Sequence, residues 1–187
     1  MGGEDPARSV EAAIGGLGIL ARRKIEAEII RPIYEEMVAR FGRDAARAAL
    51  RAAITRAAVE SGRRMAAAET GPVDLASFAA LQPKWRQDDA LTIEVLTETA
   101  ERFDYNVTRC RYAEMYRAMG LAEIGDILSC QRDGSFCEGY DPAIRLERTT
   151  TIMSGAARCD FRYSRPDAAA DGQAPLTEPR ADGKPGT

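Results

Sequence analysis

Four cysteines, at positions 110, 130, 137 and 159, share one stretch of the chain with many carboxylates and arginines, and the chain contains no histidine. Without histidine, neither a Ser-His-Asp triad nor a Cys-His nucleophile–base pair is available. Every zinc site that needs an imidazole ligand is excluded as well. In any reaction catalysed by this chain, protons must therefore be transferred by carboxylates, tyrosines, thiols or water.

The pair Cys137-Glu138 is the first candidate for catalysis. Gly134-Ser135 on one side and Gly139-Tyr140-Asp141-Pro142 on the other predict that the pair lies in a loop. Cys137 could attack an electrophilic carbon, and Glu138 could activate either this thiol or a water molecule. The alternative is a buried thiol beside a surface glutamate.

Two further acidic residues are candidates for general acid–base catalysis. In a predicted strand, Cys159 shares a face with Phe161 and Tyr163, which favours the core, whereas Asp160 faces the other way. Asp160 would then face solvent or a pocket. Asp133 follows Arg132 near a predicted helix end, and its alternative role is that of a turn or cap residue.

A predicted helix that starts near Cys110 carries candidates for substrate binding. Cys110 and Glu114 are four residues apart and share a helix face. Arg111, near the helix N-terminus, could bind an anion. The alternative is a solvated Arg–Glu face, with Tyr112 in the core.

A Cys₄ zinc site is a competing interpretation of the thiols. Structural sites of that kind use paired C-x₂-C motifs, whereas successive cysteines here are 20, 7 and 22 residues apart. We therefore predict that the chain binds no metal ion.

Three blocks resemble the L-2-amino-thiazoline-4-carboxylic acid hydrolase family of bacteria, in matching order. They are Arg109-Cys110-Arg111-Tyr112-Ala113-Glu114, then Ser129-Cys130-Gln131-Arg132-Asp133 with Phe136-Cys137-Glu138-Gly139, and finally Thr151-Ile152-Met153-Ser154-Gly155-Ala156 with Cys159-Asp160-Phe161. The resemblance spans about residues 20–164. It implies a cofactor-free hydrolase that opens a small aminothiazoline ring to N-carbamoyl-cysteine.

The implied reaction needs little acid–base machinery. Its leaving group is a thiolate, whose conjugate acid has a pKa near 8.5, so a carboxylate general base could suffice. The substrate carboxylate favours an arginine partner. Candidates for that contact lie in the matching region: Arg109, Arg111, Arg132, Arg148 and Arg158.

The elements that must position these residues divide into a helical half and a sheet. Residues 1–69 are rich in helix formers, and an i, i+4 apolar stripe predicts a helix face packed on the core: Ile25, Ile29, Ile33 and Met37. Pro32 predicts a kink or a helix start. A second helix has a small-residue face suited to close packing, formed by Ala48, Ala49, Ala52, Ala53 and Ala57.

Alternation of apolar and polar residues predicts strands in the second half. Residues 91–95 and 103–107 form a hairpin that turns near Ala100, and 144–153 and 159–163 form two more strands. Short helices are expected at 110–119 and 122–130. The prediction is an α+β domain over residues 1–164, in which the helical N-terminal half packs on an antiparallel sheet of about four strands with two inserted helices, followed by a disordered tail over 165–187.

Composition limits the partners and the location. A net charge of −3 argues against nucleic-acid binding, and no apolar run is long enough to span a membrane. The absence of a signal peptide predicts a cytoplasmic protein with reduced thiols. We expect a small-molecule substrate, and the Ala-rich helices could form a homodimer interface. The competing function is a ligand-binding or sensor domain without turnover, similar to 4-vinyl-reductase-like domains.

Overall fold

The computed structural model describes residues 16–166. Most of the predicted tail, from residue 167 onward, therefore lies outside the described residues, as do residues 1–15. The helical half consists of α1 (Ile19–Phe41) and α2 (Arg43–Ala67), which meet at Gly42, a residue with a φ of +82°. The short helices α3 (Leu75–Ala79) and α4 (Gln82–Arg86) lead through a 3₁₀ turn at Gln87–Asp89 into the sheet.

The sheet contains four antiparallel strands in the order β1-β2-β4-β3. They are β1 (Leu91–Glu98), β2 (Arg102–Cys110), β3 (Arg145–Glu147) and β4 (Cys159–Ser164). Helix α5 (Arg111–Ala118) follows β2, and a π-helical turn (Asp126–Cys130) runs directly into α6 (Gln131–Tyr140). The α+β prediction, including the hairpin, the helical N-terminal half and the inserted helices, is confirmed.

Three local predictions were wrong, and the first concerns the loop expected around Cys137. Residues 134–140 belong to helix α6. Gly139 does not form a turn there; together with Gly62 of α2 it lies at the contact between the two helices. A Cβ on Gly62 would collide with the backbone of Phe136 and Tyr140, and one on Gly139 would collide with the backbone of Val59. The two glycines therefore allow α2 and α6 to approach each other closely.

The second concerns the strand expected over 144–153, which ends at Glu147. Beyond that residue, the backbone N–H groups of Thr149 and Thr150 donate to the Asp160 carboxylate, at 3.0 and 2.6 Å. The Asp160 carboxylate thus accepts these hydrogen bonds in place of the backbone carbonyl groups of β4.

The third concerns the faces of the two long helices. Of the predicted stripe, Ile25, Ile29 and Ile33 are exposed, whereas Met37 packs against the core. The buried side of α1 carries Ala27 and Tyr34. The alanines expected to pack closely on α2 are also exposed, and its buried positions are Ala46, Ile54, Ala58 and Gly62. Helix α1 also runs through Pro32 rather than starting there.

Two groups of buried side chains form the core. One lies among α1, α2, α5 and the π-helical turn, and the other is aromatic and lies between the sheet and α3, α4 and α6. Cys110 packs against both groups, so the end of β2 marks where they meet. No helix within residues 16–166 combines the length and the apolar character needed to cross a membrane.

Candidate functional site

A cavity lies between the inner face of the sheet and the surrounding helices, and it encloses about 120 Å³. This volume is somewhat below the roughly 150 Å³ of a cavity that holds benzene, so the cavity is on the scale of one small ring. Its polar and reactive lining comes from every layer of the fold: Arg23, Ser61, Gln82, Tyr105, Cys110, Tyr112, Ser129, Cys130, Arg132, Asp133, Arg148, Cys159 and Tyr163.

The alternation of β2 and β4 builds the sheet wall of the cavity. Cys159, Phe161 and Tyr163 are buried on one face of β4, as the sequence predicted for Cys159. Tyr105 of β2 stacks on Phe161, with ring centroids 4.8 Å apart. The wall is therefore rigid and largely aromatic, which suits a flat ligand.

Asp133, in the first turn of α6, places a carboxylate in the cavity. It forms an ion pair with Arg148, whose second terminal nitrogen donates to the Cys130 carbonyl oxygen at 2.9 Å. The Arg148 guanidinium also lies over the Phe161 ring, 4.8 Å from its centroid. Burial raises the pKa of Asp133 and Arg148 opposes that effect. The Asp133 side chain nevertheless keeps 32% of its surface accessible, compared with 14% for Arg148, which leaves its oxygens able to contact a ligand.

Two more arginines from different helices face the same cavity. Arg23 of α1 and Arg132 of α6 both contact Glu26, at 2.7 and 3.2 Å. Arg132 is largely buried, with 14% of its side-chain surface accessible, and this burial lowers its pKa. Together with Arg148, the lining carries three guanidinium groups and one carboxylate. Once the Glu26 carboxylate that contacts Arg23 and Arg132 is included, one positive charge remains in excess, which favours a ligand with an anionic group.

Gln82 has an unsatisfied hydrogen-bonding group at the cavity. Its side-chain N–H donates to the Tyr105 hydroxyl at 3.1 Å, whereas its carbonyl oxygen has no partner among the described residues. Burial raises the pKa of Tyr105, so that hydroxyl is neutral at physiological pH. A buried amide oxygen without a donor is costly, and a ligand N–H group would relieve that cost.

The three cavity thiols are protonated at neutral pH. Burial raises the pKa of Cys110 to about 11 and that of Cys130 to about 12, and it also raises the pKa of Cys159. Cys110 caps α5 by accepting from the Ala113 N–H, and Cys159 accepts from the Ile152 N–H at 3.2 Å. Since the thiolate is the nucleophilic form, these thiols are weak nucleophiles. Within residues 16–166, no three cysteine or carboxylate side chains are grouped so as to hold a metal ion.

A comparison with protein families decides the relationship suggested by the sequence blocks. Residues 22–163 match the family described as L-2-amino-thiazoline-4-carboxylic acid hydrolase. The chain belongs to this family. No functionally curated protein matches it.

Among solved structures, the chain is similar to the phenol-responsive sensory domain of the transcription activator PoxR, crystallised with phenol. The two share 14% identity with a TM-score of 0.43, and the match covers 76% of this chain and 78% of the other.

In this member of the aminothiazoline-carboxylate hydrolase family, the cavity brings together several of the predicted site residues. They are Cys110, Tyr112, Arg132, Asp133 and Cys159. Tyr112 is held by its hydroxyl, which donates to the Trp85 carbonyl oxygen at 3.1 Å. These residues come from β2, α5, α6 and β4, so they meet only in the folded chain.

The pair Cys137-Glu138 does not line this cavity. Cys137 is 2% exposed, and its thiol donates to the Asp133 carbonyl oxygen, at 3.4 Å, within α6. Burial raises the pKa of Cys137, and Glu138 is exposed on the next position of the helix. The structure therefore has the alternative arrangement that the sequence allowed for this pair, a buried thiol beside a surface glutamate.

The remaining predicted residues also lie outside the cavity. Arg109 and Glu114 form an exposed ion pair at 2.9 Å, and Arg111 donates to the Asp88 carbonyl oxygen at 2.6 Å. Arg158 is exposed. Asp160 accepts hydrogen bonds from Thr149 and Thr150, which lower its pKa although partial burial works against them. Its carboxylate therefore organises the chain between β3 and β4.

Sequence reasoning assigned no site role to Arg23, Gln82, Tyr105 and Cys130, and it grouped Arg148 only with the other arginines. One signal was present for Arg23. It lies four residues before Ala27, on the buried side of α1, and a charged residue on a buried helix face indicates a polar partner or a site. Gln82 and Tyr105 meet only through tertiary packing.

Proposed function

We propose that the protein hydrolyses L-2-amino-thiazoline-4-carboxylate, or a close analogue with a C–N/C–S ring, to N-carbamoyl-L-cysteine, with Asp133 as the general base. The observation that carries this proposal is the cavity, which is on the scale of one small ring and presents Asp133 beside three guanidinium groups. Family membership supports the hydrolase class.

The charges of the cavity suit the two ends of such a substrate. Arg23 and Arg132, which lie together through Glu26, would bind the substrate carboxylate. The unpartnered carbonyl oxygen of Gln82 would accept a hydrogen bond from the exocyclic amino group. The aromatic wall of Tyr105 and Phe161 would hold the ring between these contacts.

The chemistry needs one base and a good leaving group. Asp133 takes a proton from water as the water oxygen adds to ring carbon 2, and it returns that proton to the ring nitrogen. The carbon–sulfur bond then breaks, the carbonyl of the ureido group forms, and the hydroxyl proton passes to the departing sulfur. A raised pKa makes Asp133 a stronger base than an ordinary carboxylate, and the sulfur leaves without strong acid assistance.

The raised thiol pKa values favour direct attack by water over attack by a cysteine. At pH 7 only about one in ten thousand Cys110 side chains would be a thiolate when the pKa is about 11. A cysteine nucleophile would need a base beside it, and the carboxylate available in the cavity lining is Asp133. Conversion of each cavity cysteine to alanine, one at a time, distinguishes the two routes.

The test is to incubate the purified chain with an excess of L-2-amino-thiazoline-4-carboxylate and to measure released thiol above that of the four protein cysteines. The proposal expects one thiol for each ring consumed. Calorimetric titration with the same compound serves as the parallel measurement. Saturable binding without thiol release would support the sensor interpretation instead, and absence of both would exclude this substrate.

A further inference from the structure

Gln82, the first residue of α4, is a buried polar residue whose hydrogen bonds are only partly formed. It is 6% exposed and lines the cavity. Its side-chain N–H donates to the Tyr105 hydroxyl at 3.1 Å, whereas its carbonyl oxygen has no partner in the part of the chain that the structure describes. Buried polar groups in folded proteins are almost always paired. An unpaired acceptor at a cavity therefore points to a donor that a ligand brings.

The two tyrosine hydroxyls beside Gln82 hold a donor that is also unused. The Tyr105 hydroxyl shares a hydrogen bond with that of Tyr163, and together they carry two hydrogens, of which this bond uses one. Within residues 16–166 neither hydroxyl donates to any other group. Both tyrosines line the cavity, and burial raises the pKa of each, so both stay protonated at physiological pH. One phenolic O–H is therefore available to a ligand.

We propose that Gln82, Tyr105 and Tyr163 together recognise one edge of a heterocycle, on which an N–H donor stands next to a nitrogen or oxygen acceptor. The Gln82 carbonyl oxygen accepts from the N–H, and the free phenolic O–H donates to the neighbouring acceptor. Cyclic amidines, such as a 2-amino-thiazoline, carry this edge as an amino group beside a ring nitrogen. Cyclic amides carry it as a ring N–H beside a carbonyl oxygen. These contacts rest on the proposed function and add to it the feature by which the substrate is selected.

The other cavity contacts cannot provide this selection. The aromatic wall binds flat rings of any substitution, and the guanidinium groups of Arg23 and Arg132 bind carboxylates in general. A methyl group in place of the amino group fills a similar volume but leaves the Gln82 oxygen covered and unpaired. Covering an unpaired acceptor weakens binding by about 5- to 150-fold. Discrimination at ring carbon 2 is therefore a function of Gln82.

The experiment is a calorimetric titration of the purified full chain with 2-aminothiazole-4-carboxylate and with 2-methylthiazole-4-carboxylate, whose aromatic rings are stable in water. We expect the amino compound to bind about 5- to 150-fold more tightly than the methyl compound. The variant Gln82→Met keeps the length of the side chain and removes the acceptor, so it should bind the two compounds nearly equally, with an unchanged circular dichroism spectrum. Equal affinities in the unmodified chain, or binding of neither compound, would overturn the proposal. A preference for the amino compound that persists in Gln82→Met would overturn it too.

Cys130→Ala is the matched control, since Cys130 lines the same cavity but belongs to the π-helical turn. It should keep the preference for the amino compound, and loss of the preference in this variant as well would overturn the assignment to Gln82. A third ligand, 2-oxo-2,3-dihydrothiazole-4-carboxylate, carries the edge as a cyclic amide. If it binds most tightly and loses that affinity in Gln82→Met, recognition of the edge is supported and the proposed amidine substrate is contradicted. None of these titrations requires turnover, so an absence of thiol release would contradict the proposed function alone.

Discussion

The variant Asp133→Asn tests the assignment of the general base. The substitution keeps the size of the side chain and its ability to accept a hydrogen bond from Arg148, but it removes the basic oxygen. Arg148 keeps two other contacts, the Cys130 carbonyl oxygen and the Phe161 ring. The cavity should therefore remain formed, and the loss should appear in the chemical step.

The size of the effect follows from the role proposed for the carboxylate. General base catalysis contributes about 10²- to 10⁴-fold to a rate, which corresponds to about 3–5 kcal/mol of barrier. We expect kcat to fall by that factor. KM should change much less, because Arg23, Arg132 and Gln82 are assigned the contacts that hold the substrate.

Thiol release under substrate saturation is the assay, and Glu138→Gln is the matched control. Glu138 lies on the same helix as Asp133 but is exposed, so its conversion to an amide should leave the rate unchanged. Near-normal kcat in Asp133→Asn, with the fold intact by circular dichroism, would refute the assignment. A loss of equal size in Glu138→Gln would refute it too.

The pH dependence provides a second readout of the same residue. Burial raises the pKa of Asp133 above the ordinary aspartate value, and the base works only when ionised. Activity should therefore rise with pH through a midpoint above about 4. The residual activity of Asp133→Asn should lack that limb, whereas Glu138→Gln should keep it.

Three further predictions concern the thiols and the scaffold. Iodoacetamide should alkylate Cys110, whose pKa is about 11, roughly 300-fold more slowly at pH 7 than a free cysteine. Mass spectrometry measures the alkylation rate in native and in unfolded protein. Equal rates would contradict the burial of the Cys110 thiol. Gly62→Ala should lower the free energy of unfolding by about 2 kcal/mol or more, because its Cβ meets the α6 backbone. Gly134→Ala, with nothing near its Cβ inside the same α6 helix, should instead raise the free energy of unfolding by up to about 1 kcal/mol. Denaturant titration of both variants measures the difference, and similar effects in the two would contradict the packing role of Gly62. Asp160→Asn should lower the free energy of unfolding by about 1–2 kcal/mol at pH 7. Partial burial raises the pKa of Asp160, but its hydrogen bonds lower it further, so the gap in stability between wild type and variant should shrink as pH falls below about 4. A gap that does not change with pH would contradict this role of the carboxylate.

The sheet was the part of the fold that the sequence predicted best. Period-two alternation in β4 separates a buried face from a partly exposed polar one, and Cys159, Phe161 and Tyr163 accordingly face the core. In β2 the apolar positions are buried as predicted, but Asp104 and Asn106 between them are buried too. Alternation of apolar and polar residues is visible in the sequence itself, so a strand of this kind can be predicted without knowledge of its tertiary contacts.

Glycines and apolar stripes were harder to interpret, because each has more than one physical use. In the sequence Gly139 predicts a turn, yet in the structure it allows α6 to approach Val59 of α2. The stripe through Ile29 predicts a face packed on the core, yet its three isoleucines are exposed and Met37 alone among its members packs against the core. Apolar periodicity shows that a helix has an apolar face, but not what covers that face.

The site itself was predicted only in part, because it is assembled from distant segments. Asp133, Arg132 and Cys110, which line the cavity, were predicted because they lie in the blocks that resemble the family. Gln82 reaches the cavity only through tertiary packing, which no local pattern reports. The signal for Arg23, its position on the Ala27 side of α1, can be read only once the buried face of that helix is known.

Carbon-13 NMR can show whether the cavity around Asp133 opens the aminothiazoline ring. The purified wild-type chain would be incubated with L-2-amino-thiazoline-4-carboxylate labelled at ring carbon 2. We expect the label to move from the ring resonance to that of a ureido carbonyl, with an equal amount of new thiol. A ring resonance that stays unchanged while the compound is bound at saturation would contradict it.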